Sequence, residues 1–378
     1  MPDAPRICHL TVLNPARHTR ILYKLACSQA GWGWSASIIG QDAAAAPYEA
    51  EGVRIVPLRP FGRLSLRRLL APWRILLLAL RERADVYTVH TPELLPVALL
   101  LRALRRARLI YDMHEDYAAT IRQALHYPVW LRRPLAALIR GLERLALPHL
   151  AAVCYAEACY VNVLGAPPER VLLLRNTFTW RAVQGQAQTV LPPQPYLLCT
   201  GTIAREWGVL AALDLWESVC RLTPVHLCVA GFTHDAGLLD EIRRRVQASG
   251  LEERFTLIGG GSYVPYADIL HLIRHCRAGI ALYEPLPHLR DKIPTKFYEF
   301  LALGRPLIYP QSPVWARFGA EAGLGAVWPQ PVEALLHALD AWAPLPEEQR
   351  RPRYAWESDA EALRALMERL RPKRLSPP

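Results

Sequence analysis

The sequence predicts an α/β protein of two Rossmann-like, doubly wound parallel-sheet domains. Three observations predict it. Short apolar runs alternate with amphipathic helical stretches. The alternation breaks once, at a segment rich in Gln, Gly and Pro. It then restarts with the same rhythm. A chain of 378 residues favours two domains of ordinary size over one.

ICHLTVL, from Ile7, reads as a buried strand. The polar loop NPARHTR follows it, and then a helix with Leu22, Leu25 and Ala26 on one face. Further strands start at Ser35, Val53, Asp85, Arg108, Ala151 and Val171. RAVQGQAQTVLPPQP, Arg181 to Pro195, reads as an interdomain linker. The second set of strands starts at Tyr196, Val225, Phe255, Ala278, Arg305 and Gly325. A last helix runs from Ser358 to Arg371. The expected division is 1–185, 186–354 and a closing segment 355–378. Two such sheets bind ligands at their strand ends, in a cleft.

Hydrophobic residues make up 52% and charged residues 21%, which supports two cores and argues against disorder. The net charge of +11 attracts anions: nucleic acid, an anionic membrane surface or a phosphorylated ligand. It fits a GC-rich genome equally well. Eight Cys are dispersed without a C-x-x-C pair, which suits buried, reduced thiols in the cytoplasm. MPDAPRICHL lacks the regions of a signal peptide, and no apolar run reaches the ~20 residues of a membrane span. The expectation is a soluble, cytoplasmic chain that at most lies on a membrane.

The run DKIPTKFYEFLALGRPLI, Asp291 to Ile308, holds the strongest constellation. Pro294 leads into a short helix that ends near Gly304. A helix start after a strand offers free N–H groups and a positive dipole end, which suit phosphate. Lys296 adds a mobile charge, and Glu299 lies one turn on, placed to accept from ribose hydroxyls. An ordinary loop-helix-strand unit explains the pattern as well.

Pro294, Lys296, Glu299, Ala302, Gly304 and Pro306 resemble the P-x-K-x-x-E-x-x-A-x-G-x-P donor-binding segment of family 4 glycosyltransferases. NPARHTRILYKLA resembles the HP-x-x-DTRI-x-x-K loop-helix of one subgroup, with Asn14 and His18 departing from it. DVYTVHTPELLPV resembles H-x-HDPELLP, with Thr88 and Thr91 substituted and His90, Pro92 and Glu93 kept. IYDMHEDY matches YD-x-HEDY, and the likeness covers nearly the whole chain.

The resemblance implies a GT-B fold, with the last helix crossing back to the first domain. It implies that Glu299 binds ribose and that backbone around Ile293, Pro294 and Thr295 binds diphosphate with Lys296. Gly201, Thr202 and Arg205 would join them in TGTIAREWG, where Trp207 replaces the usual second basic residue. Tyr263 and Val264, in GGGSYVPYADIL, would bind the base. His90 and Asp291 would stand beside the donor sugar at the catalytic centre. His114 and Glu115 would shape the acceptor side. Arg20 would contact the donor phosphate or an acidic acceptor, or else pair with a carboxylate.

There is no phosphate loop, no H-E-x-x-H and no Asp-x-Asp pair, so the expected chemistry needs no metal and no cofactor besides the nucleotide-sugar. No nucleic-acid module is evident. The expected acceptor is a glycan or a lipid-linked sugar, in cell-envelope polysaccharide synthesis. Stretches from Phe61 and from His126 combine Arg, Trp and Leu. They suit an anionic lipid surface, or a core-facing Leu stripe backed by solvated Arg. A nucleotide-sugar epimerase or hydrolase, or a non-catalytic assembly subunit, stays open.

Overall fold

The structure, a computed structural model, describes residues 4–62, 65–123, 127–284, 286 and 291–372. The chain divides into two compact units, Met1–Asn176 with Trp356–Pro378, and Thr177–Ala355.

The first unit is built on eight strands: β1 (Arg6–Pro15), β2 (Ser35–Gln41), β3 (Tyr48–Ala50), β4 (Val53–Leu58), β5 (Val86–Val89), β6 (Arg108–Met113), β7 (Ala152–Tyr155) and β8 (Val171–Leu173). Their order is β3-β4-β2-β1-β5-β6-β7-β8. All pairs are parallel except β3 with β4. The inner strands are apolar on both faces because both faces are covered. Cys8, Leu10 and Val12 meet the helices Leu66–Glu82 and Leu95–Arg105 on one face. Ile7 points to the other, which is closed by the helical segment from Arg20 and by the helix Trp356–Leu370. That last helix is tied in by Trp356 Nε1 donating to Ser28 Oγ at 3.0 Å and by the Arg175–Asp359 pair at 2.7 Å.

The second unit carries β9 (Tyr196–Thr202), β10 (His226–Phe232), β11 (Phe255–Gly260), β12 (Ala278–Ile280), β13 (Leu307–Pro310) and β14 (Gly325–Trp328). They form one parallel sheet in the order β11-β10-β9-β12-β13-β14. Each connection runs through a helix, and the two helical layers enclose separate apolar clusters.

The sequence places the junction at 185/186, but the contacts place it at Asn176/Thr177. Phe178 N–H donates to Tyr354 O at 2.8 Å, and Phe178 and Ala182 are buried in the second core. Composition marked 181–195 as a linker, yet apolar side chains within it dock onto the second sheet. Cys159 is exposed and Cys220 half-buried, so the expectation of buried thiols holds for the other six cysteines. No helix among the described residues is long and apolar enough to cross a membrane.

Candidate functional site

Three strand ends build the polar centre of the first unit. β1, β5 and β6 run side by side, with His9 opposite Thr88 and Thr88 opposite Ile110. Side chains alternate along a strand, so His9, His90 and Asp112 leave the sheet on the face used by Ile7, Val86 and Ile110. Asp112 is the hub. Its Oδ1 accepts from Arg20 Nη2 at 2.6 Å. Its Oδ2 lies 2.7 Å from His114 Nε2 and 3.0 Å from His90 Nδ1. The chain extends from His90 Nε2 to His9 Nδ1 at 3.0 Å, and from His9 Nε2 to Gln29 Oε1 at 2.7 Å. At its other end, His114 Nδ1 stands 3.3 Å from Asn14 Nδ2.

Burial opposes charge throughout this cluster. It would raise the Asp112 carboxyl, but Arg20 and the hydrogen bonds of His114 and His90 outweigh it and hold that carboxyl well below the usual range. Burial pushes His9 down to about 4, and His90 to about 3 in spite of Asp112, so both are neutral at pH 7. Burial likewise takes His18 to about 3, and its Nδ1 has no hydrogen-bond partner among the described residues. His90, Asp112 and His114 present ligand atoms within 4.8 Å of one another and could hold a metal ion. Arg20 already engages both Asp112 oxygens, which balances the carboxylate charge as a hydrogen-bonded network.

The network takes in both Arg20 and His90. Arg20 does not reach toward a ligand: it is 2% exposed, held by Asp112, the Leu174 carbonyl at 2.6 Å and Asn176 Oδ1 at 3.0 Å. Of its alternatives, pairing with a carboxylate is the one realised. His90 is wholly buried, and His114 is the member with exposed surface. Glu115 is half-buried and lines a cavity of about 400 Å³ with Glu93, Tyr117, Leu66 and Leu69. Asp116 caps the following helix through Ala119 N–H at 3.0 Å and pairs with Arg140 at 2.6 Å.

In the second unit, β9, β10 and β11 reach their ends on glycines in one register row, Gly201, Gly231 and Gly259. A Cβ on Gly231 would stand 1.7 Å from the Gly201 carbonyl oxygen. The row therefore stays bare backbone, and Gly201 takes a left-handed φ of 92°. Thr202 closes β9 with its side chain exposed.

Lys296 lies over this edge from the first turn of the helix Thr295–Ala302. Its Nζ donates to Thr200 O at 2.6 Å and stands 5.0 Å from the Tyr283 ring centre. Burial works against its charge, and Tyr283, Cys199 and Glu299 outweigh it, so Lys296 is raised above its ordinary value. Glu299, one turn on, is 7% exposed, and its Oε1 accepts from Tyr266 O–H at 2.7 Å. Burial, and then the Glu299 charge, hold the Tyr266 phenol well above its usual value, so it stays a donor. Ile293, Pro294 and Thr295 form the half-buried approach to the helix.

Tyr263 is 78% exposed and stacks on Phe232, with ring centres 4.2 Å apart. Val264 packs against the core beside it. Arg205 pairs with Glu241. Asp291 is exposed at the turn that precedes the approach. The geometry thus assembles Gly201, Lys296 and Glu299, with Tyr263 on the same strand ends. An ammonium beside bare strand ends suits an anion, a positioned carboxylate suits hydroxyls, and an exposed tyrosine stacked on a half-buried phenylalanine suits a planar ring.

Sequence reasoning missed Gly231, Tyr266, Tyr283 and Asp112. Asp112 and Tyr266 stood inside the quoted runs IYDMHEDY and YVPYADIL. Gly231, which ends VHLCVAG, was visible as a glycine closing an apolar strand.

Residues 18–177 match the glycosyl transferase 4-like domain. No curated protein matches the chain in sequence. The chain is similar in structure to sucrose-phosphate synthase from Thermosynechococcus elongatus, with a TM-score of 0.70 and 15% identity over 97% of this chain and 99% of that one. It is similar to HepE of Anabaena, solved in complex with UDP and glucose, with a TM-score of 0.62 and 12% identity over 97% of this chain and 100% of that one. It also resembles α,α-trehalose 6-phosphate synthase from Burkholderia multivorans, with a TM-score of 0.58 and 12% identity over 97% and 99%. At such identities the likeness is one of fold. The two parallel-sheet units thus give the chain a GT-B fold, and residues 18–177 of it match the glycosyl transferase 4-like domain.

Proposed function

We propose that the chain moves a sugar from a nucleotide-diphosphate-sugar, held by the second unit, to a glycan or lipid-linked acceptor at the first. The observation that carries this reading is the placing of Lys296 and Glu299 one turn apart beside the bare glycine row. Lys296 neutralises the diphosphate, with Arg205 released from Glu241 as a second cation. Glu299, oriented by Tyr266, accepts from the ribose hydroxyls. The Tyr263–Phe232 pair and the backbone at Val264 take the base. That HepE binds UDP and glucose supports this donor class.

The transfer proceeds with retention. The acceptor attacks on the face the diphosphate leaves, and the departing phosphate helps take the acceptor proton. Lysine, arginine and helix-end dipoles stabilise the developing charge without a metal. His114 and Glu115 belong to the acceptor side. Asp291 is assigned to the catalytic centre with His90, which acts from within the buried chain by holding Asp112 and His114. The place of the reaction is cell-envelope polysaccharide synthesis.

The test is a panel of UDP-, GDP-, dTDP- and ADP-sugars, followed by thermal shift and nucleotide release, with and without membrane extract. A stabilising shift with one donor class and extract-dependent release are expected. No shift with any donor would sink the reading. Release without an acceptor would favour a hydrolase or epimerase.

A further inference from the structure

The three helices on one face of the first sheet carry apolar residues on both sides. In Leu66–Glu82, the inner stripe is Ala71, Ile75, Leu76 and Ala79. An outer stripe follows at Leu66, Leu69, Leu70, Trp73 and Leu77, a spacing that puts all five on one helical side. These residues are 54–78% exposed. In Val129–Ala146, Ala136, Ile139 and Ala146 face inward while Trp130, Leu138 and Leu145 line an outer side, with Trp130 76% exposed. Leu95–Arg105 packs between these two helices and turns Leu100 and Leu104 outward. Of fifteen large apolar side chains exposed among the described residues, eleven stand on these three helices, so the exposure is concentrated rather than scattered.

The exposed charge on the same helices has one sign. Arg67, Arg74, Arg81, Arg102, Arg133 and Arg144 are exposed. The two acids there are turned elsewhere: Glu143 is buried against Arg140 and Tyr111, and Glu82 is paired with Arg54. An apolar stripe flanked by arginine, with tryptophan at its edge, suits the boundary between lipid headgroups and acyl chains. A second copy of the chain would bring arginine against arginine on this face.

We propose that this face is a docking surface for an anionic bilayer, with Trp73 and Trp130 seated among the headgroups. The cavity beside Leu66 and Leu69 then opens next to the lipid. The surface deepens the reading above, since it says how a lipid-linked acceptor reaches the first unit, but vesicle binding does not depend on transfer.

The experiment is sedimentation of the full chain with vesicles of phosphatidylcholine alone and of equimolar phosphatidylcholine and phosphatidylglycerol. Binding to the anionic vesicles only, weakened by salt, is expected. Replacing both tryptophans (Trp73→Ser with Trp130→Ser) should lower the partition constant by about tenfold for each. Removing three arginines (Arg67→Ser, Arg74→Ser, Arg133→Ser) should cost about fivefold for each and flatten the salt dependence. All five sites are exposed, so unchanged circular-dichroism melts and an unchanged donor-induced thermal shift are expected. No binding to anionic vesicles, or binding indifferent to both sets of variants, overturns the proposal and leaves the donor reading intact. A dimer in sedimentation velocity that the tryptophan variants dissolve would also overturn it, because it assigns the face to a second copy. Vesicle binding by a chain that no nucleotide-sugar stabilises would uphold the surface and sink the donor reading.

Discussion

Asp112 and Arg20 form an ion pair whose side chains are 1% and 2% exposed, with Nη2 2.6 Å from Oδ1. Removing one partner of such a pair leaves an uncompensated buried charge. Asp112→Asn is therefore expected to lower stability by about 3–5 kcal/mol. Adding Arg20→Met to Asp112→Asn should recover part of that loss. Urea unfolding of the three proteins checks the order.

The buried histidines predict an acid-sensitive fold. His9 titrates at about 4 and His90 and His18 at about 3 in the folded chain, all below the ordinary value of 6.5. Below that value the unfolded chain binds protons that the folded chain does not. Stability is thus complete above it and falls as pH drops toward 4, by about 1.4 kcal/mol per pH unit for each histidine. The depressed Asp112 carboxyl adds a loss at lower pH still. Chemical denaturation at a series of pH values measures the slope, and His9→Gln should reduce it.

Glu299 accepts from Tyr266 and stands where a ribose is proposed. Glu299→Ala is expected to weaken donor affinity roughly ten- to hundred-fold, since a hydrogen bond to a charged group contributes about 1.5–3 kcal/mol. Tyr266→Phe should cost less, because the carboxylate stays and only its orientation loosens. Calorimetric titration with the preferred nucleotide-sugar separates the two, and equal affinity in Glu299→Ala would refute the ribose role.

Strand positions were legible because inner parallel strands are continuous apolar runs, as ICHLTVL and VHLCVAG show. β3 escaped notice because Tyr48–Ala50 is a half-exposed Tyr-Glu-Ala with no apolar run, unlike the equally short β8 and β12. The Arg20–Asp112 pair spans 92 positions, and nothing local in either segment announces it. Lys296 and Glu299 were legible from one helical turn, whereas their partners Thr200 and Tyr266 come from other elements. The segment after Asn176 was misjudged because Gln, Gly and Pro suggest a loop while Phe178 and Ala182 do the anchoring.

The glycine row yields a prediction that separates packing from binding. A methyl group on Gly231 would stand 1.7 Å from the Gly201 carbonyl, a backbone atom that cannot move aside alone. Gly231→Ala is expected to cost about 3 kcal/mol or more. Gly261→Ala meets no atom of the described residues within 4 Å and serves as the neutral control. Thermal melts compare the two.

Arg205 pairs with Glu241 on the surface, where ion pairs contribute little to stability. Arg205→Ala should leave the melt unchanged while weakening affinity for the nucleotide diphosphate. Glu241→Gln, which frees the arginine, should leave that affinity equal or higher. Titration with nucleoside diphosphate alone tests both.

The helix Trp356–Leu370 fills the first core although it is encoded after the whole of the second unit. Domains generally close from the N-terminus as a chain is synthesised. Here the order is reversed in part. While the ribosome is still making residues 177–355, the face of the first sheet that carries Ile7, Ile38 and Ile110 has the segment from Arg20 but lacks the cover of Leu363, Leu366 and Met367. The second unit, contiguous in sequence, has everything it needs first. The nascent N-terminal half carries an open apolar face until the last turn of helix emerges, which makes that interval the time when a chaperone has most to shield.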